Sequence, residues 1–475
     1  MEPNLWVPPE YSVKSKPSLT QVSHPTNCTD EFVSNDFVRL AKWCPDGSVA
    51  LAQCESGKLR MLDLFVYFLL ACLIQCLCKH RPPELLHHTL SDWFTPPTKL
   101  WFPQAAPVLD FAWYPNATSR DPASFCFVTS VRECPVKLLD ASDGRLRASY
   151  KIVDHRERQV APHSLAFNPL ASKLYCGFED AIEVFDVHVP GEGTRLRTTP
   201  SKKSRDGLKG IISTLAFSPD ISSGLYAAGS LNPSSSTSSN IAIFSESTGE
   251  VPVMFVGDDH QDGFGIRSSC TQVMFNPFRP YLLYACFRRH DTIYCWDLRG
   301  DLGSPIQTFS RSGEANVKRN VIETNQKMHF DVDLGGNWLA IGDEHGDVSM
   351  FDLSSPDADN VEEVVLPPRR DISPTLKYHA HDDTIGSVAF HPLRALLLSA
   401  SGSRHFESTL ASTSDSSENE ESDVEGNEDV VDSELVQQER QLGVKKRRAK
   451  LQPAVVDNSV KLWDFGENSS TALPQ

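Results

Sequence analysis

The sequence predicts an all-β fold, a seven-bladed propeller, and three observations carry that reading. A short apolar strand ends in an aromatic with proline two positions later, as Trp43-Cys44-Pro45, Trp113-Tyr114-Pro115, Phe167-Asn168-Pro169, Phe217-Ser218-Pro219, Phe275-Asn276-Pro277 and Phe390-His391-Pro392. Phe330-Asp331-Val332 fits the series without its proline, and successive aromatics stand 70, 54, 50, 58, 55 and 60 residues apart. A later strand of each unit closes on aspartate, at Asp63, Asp140, Asp186, Asp297, Asp352 and Asp464, with Ser245 in the fourth unit. Several short alternating strands per unit, bounded by Gly, Pro, Asp and Ser, describe four-stranded blades; their tryptophan–aspartate ends are of the WD40 type.

In chain order, residues 1–35 form an N-terminal segment, 36–402 the blades, 403–456 an insertion, and 457–475 the last strand and tail. After Asp464 only the stretch from Phe465 to Gln475 remains, so the closing strand of the seventh blade is expected from Tyr11–His24, which would protect a sheet edge. The start lacks the basic and apolar regions of a signal peptide.

Residues 64–80 are an atypical apolar insert in the first blade. The run from Leu64 to Cys78 (LFVYFLLACLIQCLC) carries no charge. As a helix it would span about 22 Å, short of a hydrocarbon core of about 30 Å. A buried loop helix, a membrane-associated hairpin and residues retained from an intron are the three readings. The last is the expectation, because the run interrupts a repeat unit and ordinary sequence resumes at Arg81-Pro82-Pro83. No membrane role follows from it.

The last unit is the most explicit. His381 precedes Phe390, and Asp457 precedes Trp463, at the spacing at which His381, Ser399 (or Ser401), Asp457 and Trp463 can form a hydrogen-bonded set within one blade. The insertion that splits this unit is first acidic and then basic. From Glu407 to Glu439 there is no Lys or Arg in a background of Ser and Asn, a composition expected to be disordered. Lys445, Lys446, Arg447, Arg448 and Lys450 then form a candidate nuclear-localisation signal. Ser417 and Ser422, each with an acid three residues on, are candidate phosphorylation sites.

Composition bounds the function. The chain has 475 residues, 45 basic against 62 acidic, a net charge of −17 and 40% hydrophobic content. That content excludes a wholly disordered chain, and the acidity argues against coating nucleic acid by bulk charge while leaving room for a local basic patch. Twelve cysteines without paired zinc spacing read as reduced thiols of an intracellular protein. No phosphate loop, nucleophile elbow or HExxH pattern appears, so no catalysis, cofactor or metal is expected. Two basic features stand out: the connector from Arg195 to Lys209, and Arg288-Arg289-His290. Arginine forks suit phosphates and unstacked bases, which makes Arg288, Arg289, Lys202, Lys203 and Arg205 candidate RNA contacts. The alternatives are solvated loops, or bracing of the blade by Arg288 through backbone carbonyls.

The strings FVRLAKWCPDGS (37–48), ECPVKLLDASDGRLRASY (133–150), PHSLAFNPLASKLYCGF (162–178), GIISTLAFSP (210–219), CWDLR (295–299) and TNQKMHFDVDLGGNWLAIG (324–342) resemble those of the telomerase Cajal body protein 1 family. The resemblance covers roughly residues 35–402. It implies a nuclear WD-repeat scaffold that binds box H/ACA small Cajal body RNAs and telomerase RNA. Such a scaffold keeps those particles in Cajal bodies, supports telomerase assembly and telomere maintenance, and partners box H/ACA ribonucleoprotein proteins. Some cytoplasmic protein is also expected. The insertion in blade seven departs from the compact family pattern. Two other classes stay open: a cullin–RING ubiquitin ligase substrate receptor, through the WDxR motif Trp296-Asp297-Leu298-Arg299, and a signalling propeller of G-protein β type.

Overall fold

The structure is a computed structural model that describes residues 7–24, 36–62, 64, 100–201, 203–204, 206–232, 239–257, 268–311, 324–354, 370–405 and 454–466. The chain forms two compact units, Met1–Ser403 with Val455–Gln475, and Arg404–Ala454. The second unit is described only at a short ladder, in which His405 and Ala454 exchange two backbone hydrogen bonds of 2.9 and 2.8 Å.

The first unit is a seven-bladed β-propeller, built entirely of strands among the described residues. Its innermost strands are Val38–Trp43, Val108–Trp113, Ser164–Phe167, Ile212–Phe217, Cys270–Phe275, Asp331–Val332 and Ile385–Phe390. Each begins its blade at the channel, and the chain then works outward by antiparallel hairpins. Seven hydrophobic clusters form, and each joins two neighbouring blades. Leu51, Phe111 and Phe127, for example, are fully buried between blades one and two. Burying a side chain of that size is worth about 1.5–3 kcal/mol, and here it is realised only when the neighbour is present.

The aromatic-x-proline signature performs three tasks. Its aromatic plugs the interblade seam, and at Trp43 and Trp113 the indole also donates to the preceding blade, at Ala389 O (3.1 Å) and Lys42 O (3.0 Å). The middle residue caps the turn: the Oδ1 atoms of Asn168 and Asn276 each accept two backbone N–H groups. His391 Nδ1 does the same for Leu393 (2.9 Å) and Arg394 (3.0 Å), so the proton sits on Nε2, which donates to Gly47 O of blade one at 3.0 Å. Asn276 Nδ2 reaches Gly336 O of the next blade in the same way, at 3.0 Å. Gly47 and Gly336 have φ near +70°, and a Cβ there would lie 2.6 and 2.2 Å from the capping side chains, so both positions require glycine.

The sixth unit departs from the expected alignment. Asp333 N bonds Trp338 O at 3.0 Å, the bond that Asn168 N makes to Lys173 O and His391 N to Leu396 O. Val332, two residues beyond Phe330, therefore holds the place of the signature aromatic. Asp333 caps this turn, accepting from the N–H groups of Gly335, Asn337 and Trp338. Phe330 is still buried at the seam with blade five, so apolar character alone pointed to the wrong register.

In the last blade Trp463 Nε1 donates to Ser399 Oγ (2.9 Å), and Ser399 Oγ meets His381 Nε2 (2.7 Å). His381 Nδ1 faces Asp457 Oδ2 at 3.2 Å. The ionised Asp457 makes Nδ1 the donor, so the serine hydroxyl donates to Nε2 and every polar atom of this buried chain is used. The sheet order puts the strand Ser18–Ser23 on the outer edge of this blade, antiparallel to Val460–Asp464. Tyr11 packs edge-on against Phe390 and Phe465 at ring distances of 5.2 and 5.8 Å. A fifth strand that the repeat does not announce, Arg370–Ile372, pairs in parallel with Gln307–Ser310 on the outer edge of blade five.

Leu64 is buried at the seam of blades one and seven; the rest of the apolar insert lies outside the described residues. No helix among the described residues is long and apolar enough to cross a membrane. The eight described cysteines are free thiols, and burial pushes Cys44 up to about 12 and Cys126 to about 11.

Deleting residues 1–24 should cost at least about 2 kcal/mol in urea unfolding, through the lost strand and the exposed seat of Tyr11. A second outcome concerns pH. Burial lowers His391 from 6.5 to about 4. The unfolded chain therefore takes up a proton at this site that the folded one refuses, and stability falls as pH drops from about 6.5 toward 4. His391→Asn should lose about 2 kcal/mol less than the wild type between pH 7 and pH 5 in the same assay.

Candidate functional site

The inner strands expose one backbone edge to the channel, and side chains satisfy it across every seam. Ala41 N donates to Ser387 Oγ, Leu165 N to Asp110 Oδ2 (2.8 Å), Val273 N to Thr214 Oγ1, and Phe390 N to Asp331 Oδ2 (2.7 Å). Gln272 exchanges two bonds with Phe330, Ser164 Oγ donates to Ile212 O, and Gln53 Nε2 to Val108 O. The channel wall is thus stitched by short polar side chains, and longer charged groups are left to project from it.

Those groups gather at the upper face, where first strands begin and second strands end. Arg39 is the second residue of Val38–Trp43, Arg132 follows Cys126–Val131, His163 precedes Ser164–Phe167, and Arg288 follows Leu282–Phe287. Lys327 lies just before His329, which bridges Ser387 of blade seven. Gly386 marks the same spot, since a Cβ on it would lie 2.9 Å from Gln326 Nε2 and 3.1 Å from Arg39 O.

The electrostatics follow from this crowding. Burial lowers Lys327; Asp110 pulls it back up, and Arg288 and Arg39 push it down. His163 is lowered by burial and then by Lys327 and Arg132. His329 is driven down to about 3 by burial, Lys327 and Lys42. Acidic relief is partial: Arg39 pairs with Glu55, and Lys42 Nζ reaches Asp110 Oδ1 at 3.2 Å. Arg288 Nε is shielded from solvent with no hydrogen-bond partner. Arg39, Arg132, Arg288 and Lys327 thus bring four cations to this mouth, with Glu55 and Asp110 among them, on a chain whose net charge is −17.

The sequence candidates divide. Arg288 stands at this mouth, and Arg289 beside it is exposed with φ of +63°. Lys203 is exposed on the connector after the outer strand Thr194–Arg197 of blade three; Lys202 and Arg205 lie outside the described residues. Arg195 of that strand is committed to Glu183 (2.7 Å) and stacks over Phe178. The bracing role considered for Arg288 belongs to Arg311, which donates to Asp291 O and Gly342 O and pairs with Asp291. Ser417, Ser422 and the basic run at 445–450 lie outside the described residues. Arg39, Arg132 and Lys327 went unnoticed because no two are near in sequence. One signal was available: Arg132 and Arg288 occupy the same place in their repeats, directly after the second strand.

No family model matches the chain. Telomerase Cajal body protein 1 of Rattus norvegicus is 31% identical over 374 residues, 78% of this chain and 60% of that protein. Over its propeller, the chain is a homologue of telomerase Cajal body protein 1. The Homo sapiens telomerase Cajal body protein 1 is likewise 31% identical, over 372 residues, 78% of this chain and 58% of that one. The guanine nucleotide-binding protein negative regulator 1 of Schizosaccharomyces pombe is 24% identical over 315 residues, 65% of this chain and 68% of that protein. The chain spans about 60% of the length of the telomerase Cajal body protein 1 relatives it matches.

Proposed function

We propose that this chain is a non-enzymatic nuclear scaffold that binds box H/ACA small Cajal body RNAs, and telomerase RNA, to localise their ribonucleoprotein particles. Telomerase assembly and telomere maintenance would follow from that activity, with the box H/ACA ribonucleoprotein proteins as partners and the Cajal body as its site. The observation that carries the reading is the homology to telomerase Cajal body protein 1 along the propeller. A group of cations at the channel mouth of an acidic chain supports it: bulk charge repels RNA, so contact must be local and directed.

The fission yeast relative favours a second reading, a signalling propeller that engages a protein rather than RNA. A ubiquitin-ligase receptor role draws less support. Arg299 of the WDxR motif is forked onto Asp297 (3.0 and 2.7 Å) and lies 3.5 Å over the Tyr281 ring, so an adaptor would compete with those contacts.

Ultraviolet crosslinking of the tagged chain in its own cells, with sequencing of the attached RNA, tests the scaffold reading. Box H/ACA RNAs should be enriched, and changing Arg288 and Arg289 together to Glu should reduce their recovery by about tenfold or more in a still-folded protein. Background RNA alone would transfer the weight to the signalling reading. Removing Lys445–Lys450 should shift a fluorescent fusion to the cytoplasm; unchanged nuclear accumulation would remove that signal from the account.

A further inference from the structure

The channel mouth brings together cations from blades that are far apart in the chain. Lys327 of blade six lies within electrostatic reach of Arg39 of blade one, Asp110 of blade two and Arg288 of blade five, and it also bears on His163 of blade three. A side chain whose charge bears on groups of four other blades, on a segment seated at Gly386 beside Arg39 O, lies toward the axis. Its backbone is held there from both sides: Gln326 Nε2 donates to Gly402 O at 2.9 Å, and His329 N to Gly386 O at 2.9 Å. Neither Lys327 nor Arg288 forms an ion pair with a described residue. The carboxylate that bears most on Lys327, Asp110, is already shared with Lys42 Nζ and the Leu165 amide, so a further anion would stabilise these cations.

We propose that Lys327, with Arg288 beside it and Arg132 beyond His163, is an axial phosphate site that takes the sugar–phosphate backbone of a single-stranded RNA at the upper mouth of the channel. This rests on the RNA-scaffold reading and deepens it. The bases would splay outward over the surrounding strand ends while one or two phosphates seat on the axis. That division lets the site hold RNA without reading its sequence.

The test uses the full chain and a single-stranded oligouridylate of about ten nucleotides, followed by fluorescence anisotropy. Lys327→Met and Arg288→Met should each weaken binding about tenfold and reduce the salt slope by about one. Inorganic tripolyphosphate should compete, and an oligonucleotide with a neutral methylphosphonate backbone should not bind. Thermal midpoints of Lys327→Met should stay level or rise, because a crowded, desolvated cation has been removed; a lysine kept for structure would lower them. Unchanged affinity and slope in both variants would overturn the proposal, as would equal binding of the neutral oligonucleotide or preference for polyglutamate over RNA. The two readings separate cleanly. Cellular crosslinking of box H/ACA RNA that survives Lys327→Met and Arg288→Met sinks the axial site and leaves the scaffold. Tripolyphosphate binding that depends on Lys327, without any such RNA in cells, sinks the scaffold and leaves an anion site.

Discussion

Ring closure is the constraint on which this structure depends. Each hydrophobic cluster is shared by two blades, so no blade has a core of its own, and the first must meet the seventh before either is stable. Closure is made three ways. Val38, Trp43 and Ala50 pack against Leu398, Val460 and Leu462; the Trp43 indole donates to Ala389 O; and the strand Ser18–Ser23 joins the sheet that contains Val460–Asp464. The last of these ties the two chain ends together, so opening the ring requires breaking a strand ladder as well as parting an apolar seam.

Polar groups then decide how precisely the ring is set. Inner strands have a channel-facing edge with no strand partner, and an unpaired buried amide is costly. Asp110, Gln272, Asp331 and Ser387 satisfy those edges across four different seams. On the opposite end of the blades the capping residues Asn276 and His391 hold their own turn and the glycine carbonyl of the next blade. The blades are therefore registered at both ends by hydrogen bonds and in the middle by apolar packing. The hydrogen-bonded set of His381, Ser399, Asp457 and Trp463 strengthens the one blade whose second and third strands are separated by the longest stretch of chain.

This registration is what makes a functional surface possible. Strand ends delivered to fixed positions around a channel place Arg39, Arg132, Arg288 and Lys327 at one mouth, with Glu55 and Asp110 among them. That grouping is the candidate site for an anionic partner on an otherwise acidic chain.

Much of the architecture is written in local sequence. The aromatic-x-proline turns, the aspartate strand ends and the His381–Trp463 spacing obey short-range rules, so blade number, blade order and the set in the last blade could be read residue by residue. The sixth blade shows the limit: Phe330 and Val332 are both apolar, and only the backbone bond from Asp333 to Trp338 separates their roles. The parallel strand Arg370–Ile372 was equally hidden, because its partner lies some sixty residues away in another blade. The candidate functional surface was least legible of all. Arg288 could be picked out because it sits in a basic run, whereas Lys327 and Arg132 are lone cations in their stretches of sequence, and their meaning lies in where the closed ring places them. Distance across a channel is set by the closure of seven blades, and no local rule of propensity or spacing contains it.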